Sequence, residues 1–169
     1  NTTLDDNGGT LRDANGNNLS SGGDNVVVSL SPANGTLTPQ TATDNGDGSY
    51  SATYIAGTTS GNVIISATVN GVSVANSGIV TLTSGVASQY VVNASSLQPV
   101  AGSPVTVTAR LADGNGNSVP QAGQTVTWSS TSGGSFSSAT SLTDASGVAT
   151  VTFTTSSSVT QHTVTATTG

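Results

Sequence analysis

Asp13, Asn15 and Asn17, and again Asp113, Asn115 and Asn117, place side-chain oxygens at the first, third and fifth positions of a loop. That is the spacing with which a calcium-binding loop opens. The rest of such a loop is missing, since the sixth positions hold Asn18 and Ser118 instead of glycine and the chain contains no glutamate to close a coordination sphere. Asp and Asn also occupy turns because they tolerate left-handed backbone and bond to their own main chain. The turn reading is preferred over calcium for both triplets, and Asp44 and Asp47 make no better case.

Other chemistry has less to work with. His162 is the only histidine and falls in the last strand-like stretch, with no evident Ser or Asp partner, so a catalytic triad has no support. Asp5 and Asp6 sit in a Gly-rich turn unsuited to holding an acid and base in register. Cysteine and lysine are absent, which removes thiolate ligands, disulfides and amine nucleophiles. The sequons at Asn1, Asn34 and Asn93 are expected by chance in a chain so rich in Asn, Ser and Thr. The expectation is no catalytic residue and no cofactor other than the calcium question.

The elements that carry these loops come twice. Leu11-Arg12-Asp13-Ala14-Asn15-Gly16-Asn17-Asn18-Leu19 is answered 100 residues later by Leu111-Ala112-Asp113-Gly114-Asn115-Gly116-Asn117-Ser118-Val119. Val26-Val27-Val28 is answered by Val126-Thr127-Trp128, Gly35-Thr36-Leu37 by Gly134-Ser135-Phe136, and Thr43-Asp44 by Thr143-Asp144. Beyond the turn Asp44-Asn45-Gly46-Asp47-Gly48 the offset is 99, so that Ala67-Thr68 is answered by Ala166-Thr167. A period of this length suits an independent domain and is too long for a solenoid repeat. Two domains follow, residues 1–83 and 84–169, joined through Ser84-Gly85.

Their composition is strand and turn material, dominated by Ser, Thr, Asn, Gly and Val. All eight acidic residues are Asp, Arg12 and Arg110 are the only basic ones, and the net charge is −6. With no basic cluster, nucleic acid and anionic membrane surfaces are poor partners. No apolar run is long enough to span a bilayer and nothing resembles a signal peptide, which suits a segment excised or processed from something larger.

Period-two alternation then places the strands. In the first copy these are Asn25–Leu30, Thr36–Thr43 (interrupted by Pro39 and so placed at an edge), Ser49–Ala56, Asn62–Val69 and Val72–Thr83, with Asn70-Gly71 as a type I′ hairpin turn. In the second they are Gln89–Ala94, Pro104–Ala112, Gln124–Ser130, Ser135–Thr143, Val148–Thr155 and Thr160–Thr167. Tyr50, Tyr54, Trp128, Phe136 and Phe153 fall on alternating positions and are expected in the core. The fold class is all-β, with tandem immunoglobulin-like antiparallel sandwiches. By the repeat, the first copy lacks a first strand equivalent to Gln89–Ala94, and the second lacks a last strand equivalent to Val72–Thr83.

Asp113-Gly114-Asn115-Gly116-Asn117-Ser118-Val119-Pro120, followed by Thr143-Asp144-Ala145-Ser146-Gly147-Val148-Ala149-Thr150-Val151-Thr152-Phe153, resembles the bacterial immunoglobulin-like domains of the invasin and intimin group. The first copy departs from it at Asp44-Asn45-Gly46-Asp47-Gly48-Ser49-Tyr50, which is also similar to the Asp-Gly-x-Tyr turn of filamin-type repeats. The resemblance implies an extracellular stalk or spacer of a bacterial surface adhesin. Its partners would be neighbouring Ig-like domains in the same or adjacent chains, with no membrane insertion in this segment. Two other readings stay open. One is a filament, a homopolymer assembled by strand exchange between chains; the other is a spacer module of a secreted carbohydrate-active enzyme.

Overall fold

The computed structural model describes residues 3–4, 11–12 and 15–169, and Asn1, Asp5, Asp6 and Asp13 lie outside them. The chain divides into two compact units, Asn1–Thr83 and Ser84–Gly169, and among the described residues every element is a strand.

In the first unit, β1 (Thr3–Leu4) pairs antiparallel with β2 (Leu11–Arg12). The main sheet is built from β3 (Val26–Ser31), β4 (Gly35–Asp44), β5 (Tyr50–Ala56), β6 (Gly61–Val69) and β7 (Val72–Ser73) in the order β5-β4-β3-β6-β7. A further strand, β8 (Gly78–Leu82), pairs with the N-terminal half of β6. The expected Val72–Thr83 strand is thus two strands, parted where Val74 turns inward. Asn70 and Gly71 have φ of 51° and 82°, the left-handed pair that a type I′ turn requires.

Pro39 does not mark an edge, because β4 lies between β5 and β3. The missing N–H is accommodated differently: the β4–β5 register breaks between Thr38 and Thr43, and within that break Thr41 pairs with Val27 of β3. A proline at a bulge costs the ladder nothing that was not already given up. Leu11, Val26, Ala42, Tyr50, Ala67 and Val69 form the core of this unit. Tyr54 is outside that cluster; it is half-buried and its hydroxyl donates to the Asn34 carbonyl at 2.6 Å.

The second unit is a two-sheet sandwich. One sheet has the order β12-β14-β10-β9, from β9 (Gln89–Ala94), β10 (Pro104–Ala112), β12 (Ser135–Phe136) and β14 (Val148–Thr154). The other has the order β13-β11-β15, from β11 (Thr125–Ser130), β13 (Thr140–Leu142) and β15 (Val164–Thr168). The alternation of β10 buries Val105, Val107, Ala109 and Leu111, and Val107 and Ala109 meet Val126, Trp128, Ala149, Val151 and Phe153 in one core. The expected Ser135–Thr143 strand is split, its first part pairing β14 and its second pairing β11 in the opposite sheet. A chain that changes sheets cannot keep one alternation throughout, which is why period-two reading merges the two pieces.

Gly35 and Gly134 mark a close approach repeated in both units. A Cβ at Gly35 would lie 2.6 Å from the Tyr54 ring, and one at Gly134 2.4 Å from the Phe153 ring. An aromatic ring therefore approaches a bare backbone closely at equivalent places, which explains why glycine stands at both.

Candidate functional site

Chemistry-bearing side chains gather at one end of each unit, where a strand-end loop meets a turn. In the second unit Leu111 N–H donates to the Gly147 carbonyl at 2.9 Å, and the Leu111 carbonyl accepts from Val119 N–H at 3.0 Å. Leu11 does the same in the first unit, with the Gly48 carbonyl at 3.0 Å and Leu19 N–H at 2.9 Å. One leucine backbone thereby clasps the loop to the turn. The approach is close enough that a Cβ on Gly48 or Gly147 would lie 2.2 or 2.1 Å from the Leu19 or Val119 carbonyl oxygen.

Within the second loop Asp113 is the organising group. It is only 4% exposed. Its Oδ1 accepts from the N–H groups of Asn115 and Asn117, both at 2.9 Å, and its Oδ2 accepts from Asn117 Nδ2 at 2.9 Å and Gly85 N–H at 2.8 Å. The carbonyl of Asp113 accepts from Gln89 Nε2 at 2.6 Å, and Ser88 N–H donates to the Ala112 carbonyl at 2.9 Å. The loop thus also fastens the segment 85–89 onto its own unit.

Four protein donors converge on one carboxylate and favour its charged form. The Asn117 side chain, then the Gly85 N–H, hold the Asp113 carboxyl down at about 2, against an ordinary 3.8. A group with a depressed folded-state pKa stabilises the fold above its unfolded value and ceases to do so as pH falls through the folded one. The second unit is therefore expected to lose thermal stability between pH 4 and pH 2, measured by circular dichroism melts. Asp113→Asn, which turns a donor toward Gly85 and Asn117, should lower the melting temperature at pH 7 by roughly 5–10 °C and flatten that acid slope.

The turn facing this loop uses the same device. Asp144 Oδ1 accepts from Ser146 Oγ at 2.6 Å, Ser146 N–H at 2.9 Å and Val148 N–H at 3.0 Å, and these bonds, Ser146 Oγ first, lower its pKa. In the first unit the turn is one residue longer and two aspartates divide the work. Asp47 accepts from Ser49 Oγ and Ser49 N–H, which lowers its pKa, while Asp44 accepts from Gly46 N–H at 2.8 Å and Gly23 N–H at 2.7 Å.

The only two cations in the chain serve one carbonyl position. Arg110 Nη2 donates to the Gly116 carbonyl at 3.2 Å and Arg12 Nη1 to the Gly16 carbonyl at 3.0 Å. Gly16 and Gly116 are repeat equivalents, but the arginines are not, one following and the other preceding the equivalent leucine. Sequence comparison alone leaves them unrelated, since the match is in where the guanidinium ends and not where its backbone starts.

Asp113, Asn115 and Asn117 are brought together; Asn15 and Asn17 are exposed on their loop, and Asp13 lies outside the described residues. Among the described residues no three His, Cys, Asp or Glu side chains gather. His162 does have a serine beside it: Ser156 Oγ is 3.2 Å from Nε2. The same nitrogen also receives the Ser156 N–H at 3.3 Å, Nδ1 faces the Thr131 carbonyl at 3.1 Å, and the hydroxyl of Ser156 donates to the Ser158 carbonyl. An imidazole held between main-chain groups, edge-on to Phe153 at 5.3 Å, pins a loop; among the described residues no carboxylate is hydrogen-bonded to it to orient a base.

Residues 8–85 match the family described as Invasin, domain 3, and residues 101–169 match the Bacterial Ig-like domain (group 1). The chain belongs to the bacterial immunoglobulin-like domains of the invasin/intimin type. This bacterial Ig-like pair is similar in fold to InvD of Yersinia pseudotuberculosis, at 21% identity over 98% of the pair and 50% of that chain, with a TM-score of 0.52. Lower structural similarity is found to the Escherichia coli adhesin FdeC (24% identity, 94% of the pair, 52% of that chain, TM-score 0.45). It is found also to the adhesin InvE of Y. pseudotuberculosis (22% identity, 98% and 53%, TM-score 0.43). The pair spans about half the length of these three chains. No curated protein sequence matches it.

Proposed function

We propose that the bacterial Ig-like pair is a spacer segment of an extracellular surface adhesin, whose work is to hold a distance and to resist force. The observation that supports it best is the clasp: in both units a leucine backbone closes the same loop on the same turn, and in the second the four hydrogen bonds to the Asp113 carboxylate all come from the protein itself. Side chains so committed stabilise a fold; they are not presented to a substrate. Fusing the pair between an outer-membrane anchor and an epitope should raise the epitope above the cell surface by several nanometres, read by super-resolution localisation. An unchanged height would contradict the spacer reading.

The Asp113 loop, in this reading, is a structural turn and not a calcium site, because a cation would have to displace the four donors already on the carboxylate. Millimolar calcium is accordingly expected to leave the melting temperature of the second unit unchanged within about 1 °C, whereas binding to the folded state alone would raise it.

A carbohydrate-binding role has less support. Tyr50, Trp128 and Phe153 are buried, whereas a sugar platform presents its aromatic faces to solvent.

A further inference from the structure

Between the end of β8 at Leu82 and the start of β9 at Gln89, residues 83–88 belong to no strand. Packing does little to hold them, since Gly85 has no side chain, Val86 is 89% exposed, and Thr83 and Ser88 are exposed as well. Two main-chain hydrogen bonds hold them instead. Ser88 N–H reaches the Ala112 carbonyl at 2.9 Å, next to the Gln89–Ala112 pair that starts the β9–β10 ladder, and Gly85 N–H reaches Asp113 Oδ2 at 2.8 Å.

The second bond is the stronger kind, because its acceptor is a charged carboxylate. That carboxylate is also fixed: it is buried and bonded to Asn115 and Asn117, so its position does not depend on the connection it holds. Position 85 does not require glycine on steric grounds. A Cβ there would stand 3.5 Å from Asp113 Cβ and Oδ2, an ordinary contact. What the position contributes is its N–H.

We propose that Asp113 is a positioning residue for the connection between the two units: by accepting the Gly85 N–H it confines the free part of that connection to Thr83 and Ser84. Without it the free part runs from Thr83 to Ala87, and Ser88 is the next residue held, by Ala112. Each freed residue returns two soft dihedrals to the chain, so the joint passes from two free residues to five, and a longer flexible joint transmits position less faithfully. This rests on the spacer reading and names the side chain that keeps the spacer's joint short. It also gives the spacing of Asp113, Asn115 and Asn117 a use without a metal. The two asparagines orient the carboxylate, and the connection is its remaining partner.

The chain has no cysteine, so Thr53→Cys on β5 and Thr150→Cys on β14, both at exposed positions, give one spin-label site in each unit. The distribution of distances between the labels, read by pulsed electron paramagnetic resonance, is expected to broaden at least about twofold in Asp113→Ala. Asn117→Ala takes a donor from the same carboxylate but spares the Gly85 bond, and should keep the parental width. Gly85→Pro deletes only the donated N–H and should broaden the distribution as Asp113→Ala does, which decides the matter where Asp113→Ala does not fold. Fluorescence of Trp128, the only tryptophan and a core residue of the second unit, reports folding in each variant. An unchanged width in folded Gly85→Pro, or equal broadening in Asn117→Ala, would overturn the proposal. Broadening with an unchanged epitope height would sink the spacer reading and leave this one standing; a raised epitope without broadening would do the reverse.

Discussion

Trp128→Ala is expected to destabilise the second unit by about 3–5 kcal/mol, as large aromatic truncations in a core do. Trp128 is 5% exposed, its ring lies 6.4 Å from Phe136, and its Nε1–H donates to Ser141 Oγ at 2.8 Å. Truncation removes the largest side chain of the core, opens a cavity against Phe136, and leaves the Ser141 hydroxyl without that donor. A small domain holds only about 5–10 kcal/mol in total, so the variant should be substantially unfolded at 37 °C. Chemical denaturation followed by circular dichroism would resolve it, with the transition of the first unit unmoved, since the core around Trp128 contains only residues of the second. Trp128→Phe keeps most of the volume and loses the hydrogen bond, so about 1–2 kcal/mol is expected.

Gly147→Ala should cost about 3 kcal/mol or more. Two penalties coincide: φ is +78°, which an L side chain rarely adopts, and the new Cβ would lie 2.1 Å from the Val119 carbonyl oxygen, a backbone atom of the clasp that has little room to move. Gly116 separates them, because it has φ of +84° with nothing within 4 Å of a Cβ. Gly116→Ala should therefore cost only the left-handed penalty, about 1–2 kcal/mol. The difference between the two variants, taken from urea midpoints at unchanged m-value, measures the closeness of the loop to the turn. Equal effects would mean that the clasp contributes nothing.

Much of this architecture was legible in the sequence because burial in a two-sheet sandwich repeats every second residue. Val105, Val107, Ala109 and Leu111 alternate in the sequence and are buried in the structure, as are Val126 with Trp128 and Val151 with Phe153. The repeat located the loop–turn pairs, since Gly48 and Gly147 occupy the same place against Leu11 and Leu111. What alternation could not reveal is where a strand changes partners. The passage from β12 to β13 keeps an extended chain while exchanging sheets, and Pro39 sits inside a register break that only the positions of β3 and β5 define.

At the candidate site, the grouping of Asp113, Asn115 and Asn117 was legible from spacing, but the donor that completes it was not. Gly85 stands 28 residues away and contributes a backbone N–H, which no residue type announces. The Ser156 contact of His162 escaped for a related reason: serine is so frequent in this chain that proximity in sequence singles out none of them.

Two antiparallel sandwiches, each closed by its own clasp, are expected to act as spacers that bear force independently. Stretching the chain between its ends in a single-molecule force experiment tests it most directly. Two separate unfolding events are expected, one for each unit of Asn1–Thr83 and Ser84–Gly169, each lengthening the chain by about 25–30 nm. Gly147→Ala should lower the force of one event and leave the other in place. A single concerted event of twice that length, or gradual extension without discrete steps, would show that the two units do not bear force separately.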